Sequence, residues 1–271
     1  MKTLQSLTNA VVTQRIEVSP GLIILRVVPD GWELPEFEAG QFSVLGLPGS
    51  AVRFAASEDE EDQPDPDKLQ KRAYSIASSS KAREFMEFYV SLVPSGRLTP
   101  RLFALQTGDR VWLSPKATGM FTLDQVPADK HIALISTGTG LAPYVSMLRS
   151  HLVCGGDRRY AVLHGARHSW DLGYRSELMT LSNMCSNFSY VGAVSRPEDE
   201  PAPWSGPAGR IQAIWEQFPQ LAGFEPTPDN THVFLCGNPA MIEDMVVRLE
   251  AQGFTEHKKN APGQIHVERY W

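Results

Sequence analysis

The sequence predicts an antiparallel β-barrel followed by a parallel α/β domain. Residues 11–29 contain two β-branched runs around Pro20-Gly21, and short apolar runs follow at close spacing with Gly and Pro between them. This spacing is typical of an antiparallel barrel. After Pro127, apolar runs alternate with helical patterns, which is typical of a parallel sheet with helices on both faces. We therefore expect one domain in residues 1–126 and a second in residues 127–271.

The first domain is expected to contain six strands and one short helix. After the hairpin at 11–29, the remaining strands are expected at 40–48, 72–78, 86–93 and 109–115, and the helix at 97–105. Residues 57–68, SEDEEDQPDPDK, form an acidic insert, and such a composition does not bury enough apolar surface to order itself. We expect a solvated loop between two barrel strands, and docking of a basic partner remains the alternative.

The second domain is expected to alternate strands and helices, without an internal repeat. Strands are expected at 131–137, 160–167, 188–196 and 231–239, and helices at 144–152, 174–183, 209–218 and 240–254. Strands that alternate with helices pair in parallel, so their carboxyl ends meet at one edge of the sheet.

Charge and cysteine content exclude several classes of protein. The chain has 25 basic and 31 acidic residues and a net charge of −6, so its overall charge does not attract nucleic acid or anionic membranes. Neither a signal peptide nor a membrane span is indicated, and we expect a cytoplasmic protein. Cys154, Cys185 and Cys236 form no CxxC pair or disulfide framework, and they are too few for a Cys-ligated iron–sulfur cluster. No metal site is predicted.

A Gly-rich turn in residues 131–143, HIALISTGTGLAP, lies between a buried strand and a helix. Glycines let a phosphate approach the backbone, and the helix N-terminus offers free N–H groups with a positive partial charge. The pattern is not GxGxxG. Taken alone, the turn is equally consistent with phosphate binding and with a purely structural turn.

Five motifs in order resemble the ferredoxin–NADP(+) reductase family of flavoproteins. They are RxYS at 72–75, GxxT at 96–99, GTGxAP at 138–143, CGxPxM at 236–241 and an aromatic C-terminus. The ending VExYW is similar to the bacterial flavodoxin/ferredoxin reductase branch, and the resemblance covers nearly the whole chain. It implies an antiparallel β-barrel domain that carries FAD, followed by a Rossmann-like parallel α/β domain that binds NADP(H) and ends in an aromatic tail contacting FAD.

The resemblance implies a set of FAD-binding residues. Arg72 would bind the FAD pyrophosphate, because a planar guanidinium pairs well with phosphate oxygens. Tyr74 would lie against the flavin, and Ser75 would place its hydroxyl near flavin N5. Gly96 and Thr99 would bind the second phosphate, although Thr99 also fits a helix N-cap. The expected FAD-binding residues are Arg72, Ala73, Tyr74, Ser75, Phe88, Tyr89, Val90, Gly96, Leu98, Thr99, Thr139, Tyr270 and Trp271.

The resemblance likewise implies an NADP site on the second domain. Cys236 would lie beside nicotinamide C4. Arg167, Arg196 and Arg210 match positions where bacterial members bind the 2′-phosphate of the adenosine. No acid precedes Arg167 at the end of its strand, where NAD sites often carry a carboxylate, so NADP is favoured over NAD. The expected NADP-binding residues are Thr137, Gly138, Thr139, Gly140, Pro143, Arg167, Tyr174, Arg196, Arg210, Cys236, Gly237, Pro239 and Met241.

The implied reaction is hydride transfer between NADPH C4 and flavin N5, followed by one-electron exchange with a separate ferredoxin or flavodoxin. The catalytic residues expected are Ser75, Cys236, Glu268 and Tyr270. Glu268 would hydrogen-bond Ser75 or the nicotinamide amide, or relay a proton. Tyr270 would cover the flavin face, and Trp271 would stack on the adenine of FAD.

The electron partners implied by the resemblance are usually acidic. We therefore expect basic residues around the flavin edge, with Arg97, Arg101 and Lys116 as candidates, and a monomeric chain. Two other functions remain open. One is an NAD(P)H-dependent reductase that serves an oxygenase, free flavin or quinones, which a preference for NADH would favour. The other is a flavin-bearing electron-transfer or sensor subunit that does not oxidise a nicotinamide.

Overall fold

The computed structural model describes residues 4–269, apart from the side chain of residue 4, and the chain divides into two compact units. Unit 1 comprises Met1–Thr122 and Val145–Ser150, and unit 2 comprises Leu123–Tyr144 and His151–Trp271. Tyr270 and Trp271, which the sequence assigns to FAD binding, lie outside the described residues.

Unit 1 contains an antiparallel six-stranded sheet. Its strands are β1 (Ala10–Ser19), β2 (Leu22–Pro29), β3 (Phe42–Pro48), β4 (Leu69–Ser75), β5 (Met86–Ser91) and β6 (Arg110–Leu113), in the order β4-β3-β6-β1-β2-β5. An antiparallel bridge between Ile76 and Phe88 joins the two edges, so the sheet is barrel-like, as predicted. Two short helices accompany it, α1 (Leu4–Leu7) and α2 (Thr99–Ala104).

The core of unit 1 follows the two-residue period of its strands. Along β2, Ile23, Leu25 and Val27 are fully buried, because every second side chain of a strand points to the same face. Phe88 on β5 and Phe103 on α2 pack into the same cluster. Burial of these side chains fixes the register of the strands, since a slip of one residue would expose them.

The acidic insert joins β3 to β4, and Glu60 anchors it. The two oxygens of the Glu60 carboxylate each lie 2.8 Å from a terminal nitrogen of Arg101, and Arg53 Nη1 lies 3.2 Å from Oε1. Arg101 also donates a hydrogen bond to the Gly49 carbonyl and is only 2% exposed. The insert is a mostly exposed loop between two strands, as expected, and an ion pair anchors it where apolar burial is lacking.

Burial of Arg101 also corrects the proposed docking surface. Its guanidinium is enclosed by the insert and by backbone carbonyls, so it cannot meet a partner protein. Arg97 and Lys116 are exposed and remain available for that role.

Unit 2 contains a parallel five-stranded sheet, as predicted. Its strands are β7 (His131–Thr137), β8 (Tyr160–Ala166), β9 (Phe188–Val194), β10 (Thr231–Cys236) and β11 (Ile265–Glu268), in the order β11-β10-β7-β8-β9. Its helices are α4 (Arg175–Met184), α5 (Ile211–Ile214), α6 (Phe218–Ala222) and α7 (Pro239–Ala251), whereas α3 (Ala142–His151) is divided, with Val145–Ser150 in unit 1. Strand β11 was not expected from the sequence.

The helix expected at 209–218 is broken. Helix α5 ends at Ile214, a 3₁₀ turn covers Trp215–Gln217, and α6 starts at Phe218. Pro219 lies in the first turn of α6. Because proline has no N–H and clashes with the preceding turn, it starts a helix more readily than it continues one.

A disulfide joins Cys154 to Cys185 in unit 2, which corrects the expectation of three reduced cysteines. Cys154 precedes β8 and Cys185 precedes β9, and each crossover of a parallel sheet returns the chain to the same edge. Residues far apart in sequence therefore meet. Cys236 is buried and is not part of the disulfide. In the described part of the chain, no helix is long and apolar enough to cross a membrane.

Candidate nucleotide-binding site

Two turns of unit 2 meet at the point where the strand order reverses. The chain runs from β7 through β8 to β9 on one side of β7, whereas β10 and β11 lie on the other side. Ligands of open α/β sheets bind at such a switch point, at the carboxyl ends of the strands. The 3₁₀ turn Gly138–Leu141 follows β7, and the Asn238 N–H that follows β10 donates to Thr137 Oγ1 at 2.8 Å.

Glycines are required where these turns touch. A Cβ atom at Gly140 would lie 2.5 Å from the Cys236 carbonyl oxygen, and one at Gly237 would overlap Thr137 Oγ1. Gly237 also has a φ of +129°, which L-residues with side chains rarely adopt. By contrast, the space above Gly138 is open. The glycines of the two motifs therefore have a structural reason beside any role with a ligand.

Asn238 orients the second turn, and the sequence reasoning missed it. Its Oδ1 accepts hydrogen bonds from the N–H groups of Ala240 and Met241 at 2.9 and 3.3 Å, which caps α7. An Asn directly before Pro239 is a recognisable helix start. Met241 itself is 4% exposed and packs in the core of unit 2, so its side chain anchors the start of α7 to that core.

Polar residues form a row across the carboxyl ends of four strands. His164 pairs with Ser136, Ser136 with Cys236, and Cys236 with Glu268, so these side chains share one face of the sheet. Ser136 is fully buried, and its hydroxyl has no hydrogen-bond partner in the described part of the chain. A polar row on an otherwise apolar sheet marks this edge as the functional one.

Tyr144 lies beside two members of that row. Its hydroxyl donates to the Ile135 carbonyl at 3.0 Å. Burial raises the pKa of the Tyr144 phenol well above its ordinary value, and the nearby groups of Cys236 and Glu268 raise it further. Tyr144 therefore remains a neutral donor. Sequence reasoning missed it because it reads as one apolar position of α3.

His164 supports the Gly-rich turn in its neutral form. Burial lowers the pKa of His164 to about 4. Its Nε2 lies 3.3 Å from the Gly138 carbonyl oxygen and its Nδ1 lies 3.3 Å from the Tyr190 hydroxyl. Because a carbonyl only accepts, Nε2 carries the proton and Nδ1 accepts from Tyr190.

The three predicted arginines converge beside β8 and β9. The Arg196 N–H donates to the Arg167 carbonyl at 3.0 Å, and Ala208, two residues before Arg210, bridges Val194 at the end of β9. All three side chains are exposed. Among the described residues, none of the three guanidinium groups has a hydrogen-bond or ion-pair partner, although Glu198, Asp199 and Glu200 follow Arg196 in the same turn.

Tyr174 is the one non-glycine residue of the described chain with a positive φ, with φ 59° and ψ 5°. It immediately precedes α4. A side chain held in the left-handed region costs of order 1–3 kcal/mol and is often found at binding sites. This strain is an independent sign of function at a residue that the sequence assigned to the nucleotide.

In unit 1, the RxYS motif forms the last four residues of β4. Arg72 is exposed and donates to the Lys71 carbonyl at 2.8 Å, and Ala73 beside it is also exposed. Tyr74 is partly buried, and desolvation raises the pKa of its phenol. Ser75 is 6% exposed. The motif therefore presents a free guanidinium next to a phenol that stays neutral.

Strand β5 offers its backbone rather than its side chains. Phe88 and Val90 are fully buried in the core of unit 1, and Tyr89 is 3% exposed. The outer edge of β5 is paired around Phe88, where Phe88 bridges Ile76 and the Ala77 N–H donates to the Glu87 carbonyl at 2.8 Å, so backbone groups farther along β5 are the ones that point away from β2 without a strand partner. Leu98 is likewise a core residue. A ligand beside these residues would meet main-chain N–H and C=O groups.

The GxxT segment is closed by the Thr99 hydroxyl. Thr99 Oγ1 accepts from the Val93 N–H at 3.0 Å and donates to the Val93 carbonyl at 3.1 Å, and the Gly96 N–H donates to the same carbonyl at 2.8 Å. The N-cap of α2 is Leu98, so the N-cap expected at Thr99 was wrong. The hydroxyl is used to close the loop.

The predicted residues thus form two groups, one on each unit. Unit 2 brings together Thr137, the turn with Thr139 and Pro143, Cys236 and Glu268, whereas Ser75 belongs to unit 1.

The chain is similar to known reductases over most of its length. A family model of the oxidoreductase NAD-binding domain matches residues 134–246. The flavodoxin/ferredoxin–NADP reductase of Escherichia coli K12 is 32% identical over 238 residues, which are 87% of this chain and 88% of that protein. A protein of the same name from Buchnera aphidicola is 30% identical over 237 residues, with the same coverage. The crystal structure of a ferredoxin NADP+ reductase from Neisseria gonorrhoeae, with bound FAD and NADP, gives a TM-score of 0.79 at 26% identity and covers 97% of this chain and 98% of that one.

Proposed function

This chain belongs to the flavodoxin/ferredoxin–NADP reductase family and is an oxidoreductase, and from that premise we propose that it oxidises NADPH and reduces a ferredoxin or flavodoxin, with FAD as its cofactor. A separate electron partner is needed because two of the three cysteines are joined and the chain cannot supply a Cys-ligated cluster of its own. We propose that it acts as a monomer in the cytoplasm.

The observation that carries this proposal is the meeting of two glycine-containing turns at the switch point of the parallel sheet. Gly140 and Gly237 let the turns after β7 and β10 touch, which leaves backbone groups at the edge where nucleotides bind. Thr137, Gly138, Thr139 and Pro143 would hold the nicotinamide nucleotide there.

The three free arginines favour NADPH over NADH. Arg167, Arg196 and Arg210 are exposed and lack an ion-pair partner among the described residues, whereas a 2′-phosphate brings close to two negative charges. Charge-assisted pairs between guanidinium groups and phosphate are among the stronger hydrogen bonds. Tyr174 would border this site from the start of α4.

The residues of unit 1 fit an FAD. The exposed Arg72 guanidinium would pair with the pyrophosphate, the loop at Gly96 and Thr99 would hold the second phosphate, and the backbone of β5 would bind the flavin ring. When bound, FAD supplies the chemistry, accepting hydride from NADPH C4 at N5 and releasing electrons singly to the partner. Ser75 would donate a hydrogen bond near the reacting atom.

Around the nicotinamide, this chain's residues would exclude water and carry a proton. Cys236 is fully buried and would present its Sγ as a weakly polar wall. Glu268, which is partly exposed at the end of β11, would hold a proton on its carboxylate. Tyr270 and Trp271 would cover the flavin and the FAD adenine, as proposed from the sequence.

Stopped-flow reduction of the purified FAD-bound protein tests the proposal. We expect NADPH to bleach the flavin absorbance faster than NADH at equal concentration, and reoxidation by ferredoxin or flavodoxin to restore it. A preference for NADH would instead favour a reductase of an oxygenase, free flavin or quinones. Reoxidation should slow with rising ionic strength, because Arg97 and Lys116 would meet an acidic partner. A rate independent of salt would overturn that docking surface.

A further inference from the structure

A second set of contacts joins the two loops that carry Arg167 and Arg196. Glu200 Oε1 accepts a hydrogen bond from the Ser169 N–H at 2.6 Å, and Oε2 accepts one from the Ser169 hydroxyl at 2.6 Å. The Ser195 N–H donates to the Ala166 carbonyl and the Arg196 N–H donates to the Arg167 carbonyl, both at 3.0 Å. With the two bonds of Ser169, these four hydrogen bonds join the two loops before, at and after the arginines.

His168 adds a further connection between the same loops. Its Nδ1 lies 3.3 Å from Asp171 Oδ2 in its own loop, and its Nε2 lies 3.3 Å from Asp199 Oδ2 in the other. The ring of Trp170 stacks on the imidazole at a centroid distance of 4.4 Å. Side-chain contacts of His168 and Ser169 therefore connect the two loops.

Glu200 is a carboxylate at neutral pH. The hydrogen bond from the Ser169 hydroxyl is the main cause that lowers the pKa of Glu200, helped by the Ser169 N–H and by His168 and Arg175. Both of its oxygens are occupied by Ser169. Among the described residues it forms no ion pair with Arg167 or Arg196, so their guanidinium groups stay available to a ligand.

We propose that Ser169 and Glu200 are positioning residues that set the spacing of Arg167 and Arg196 for the 2′-phosphate of NADPH. This inference rests on the proposed function. Two guanidinium groups bind one phosphate well only when both reach it without rearrangement, because ordering loops on binding costs affinity. The hydrogen bonds between Ser169 and Glu200 would hold the two loops in place before the ligand binds.

A positioning role and an effect of charge alone predict opposite changes in phosphate affinity when the Glu200 charge is removed. Glu200→Gln removes a negative charge near the arginines, which by Coulomb attraction would tighten binding of a phosphate. Loss of positioning would weaken it. Glu198→Gln is the matched control, because Glu198 lies in the same turn, is exposed and has no side-chain contact within the described chain.

The experiment is titration calorimetry of 2′,5′-ADP and 5′-AMP on the holoenzyme. We expect Glu200→Gln and Ser169→Ala each to weaken 2′,5′-ADP binding about tenfold and to leave 5′-AMP within about twofold. The double variant should bind 2′,5′-ADP no more weakly than either single variant, because both substitutions remove the same link.

Ser169→Thr, which keeps the hydroxyl, should bind 2′,5′-ADP as the unchanged protein does. In steady-state assays, the KM for NADPH should rise and kcat should stay the same.

The outcomes separate this inference from the proposed function. If Glu200→Gln binds 2′,5′-ADP as well as or better than the unchanged protein, or if Glu198→Gln weakens binding equally, the positioning role is wrong. If the unchanged protein does not prefer 2′,5′-ADP to 5′-AMP, the NADP site itself is wrong.

Discussion

Two acidic segments of this chain lie beside arginines and use their carboxylates in opposite ways. In the insert, Glu60 binds the guanidinium of Arg101 directly, and that arginine is buried with it. In the turn after β9, Glu200 binds Ser169 and leaves Arg167 and Arg196 exposed. Glu60 thus makes Arg101 part of the folded core contacts, whereas Glu200 leaves both of its neighbouring arginines accessible to a ligand.

This difference teaches how to separate structural from functional arginines. A guanidinium that is enclosed and ion-paired contributes to stability, because removing its partner leaves a buried charge. A guanidinium that is exposed, clustered with others and unpaired contributes repulsion in the absence of a ligand. The contrast between the two segments can be tested from each side.

The largest expected effect is on stability, from Glu60→Gln. Breaking a buried ion pair typically costs 3–5 kcal/mol, and with Glu60 still 11% exposed we expect about 3 kcal/mol. Urea denaturation measures it. The control is Glu61→Gln, an exposed neighbour that should change the free energy of unfolding by less than about 0.5 kcal/mol. Equal effects of the two variants would mean that the insert is held by nothing specific.

A smaller effect, on binding rather than stability, is expected from Arg196→Leu. Loss of one charge-assisted bond to phosphate is worth about 1.5–3 kcal/mol, so the KM for NADPH should rise roughly ten- to hundredfold. The free energy of unfolding should hardly change, because this side chain has no partner in the described chain. Steady-state kinetics with NADPH and NADH measures the first quantity, and urea denaturation the second. A clear loss of stability would abolish the distinction between the two segments.

The smallest effect is expected from acid. The bond to Arg101 is the main cause that lowers the pKa of Glu60 below its ordinary value. A carboxyl with a lowered folded-state pKa stabilises the fold above its unfolded pKa, and that stabilisation is lost as pH falls through the folded value. The stability difference between the unchanged protein and Glu60→Gln should therefore be constant from pH 7 to about 5 and should shrink below about 4.5. Denaturation series across this range check it, and a difference that persists at low pH would contradict the ion pair.

The sequence predicted the features that depend on local pattern. The antiparallel strands of unit 1 and the parallel strands of unit 2 follow from periodicity and from Gly and Pro between the runs. The Gly-rich turns follow from residues next to one another, and the family resemblance rests on the same short motifs. These signals survive without knowledge of the fold because each lies within a few residues.

What sequence reasoning missed depends on contacts over long separations. Glu60 and Arg101 are 41 residues apart, Ser169 and Glu200 are 31 apart, and the bonded cysteines are 31 apart. Strand β11 is only four residues long and is recognisable only beside β10. Thr99 fitted a helix cap by its neighbours, but the Val93 backbone competes for the same hydroxyl. In each case, the three-dimensional fold determines which partner a residue contacts, and the local sequence does not.

The disulfide between Cys154 and Cys185 closes a covalent ring, with consequences for the connectivity of the polypeptide. Strand β8, Arg167, Ser169 and helix α4 lie inside the ring, while Arg196 and Glu200 lie outside it. A single peptide-bond cleavage within the ring opens it without separating the polypeptide into two molecules, until a reductant is added. Unfolding likewise leaves this ring intact, so the segment with Arg167 refolds as a tethered loop, whereas the segment with Arg196 refolds as an open chain.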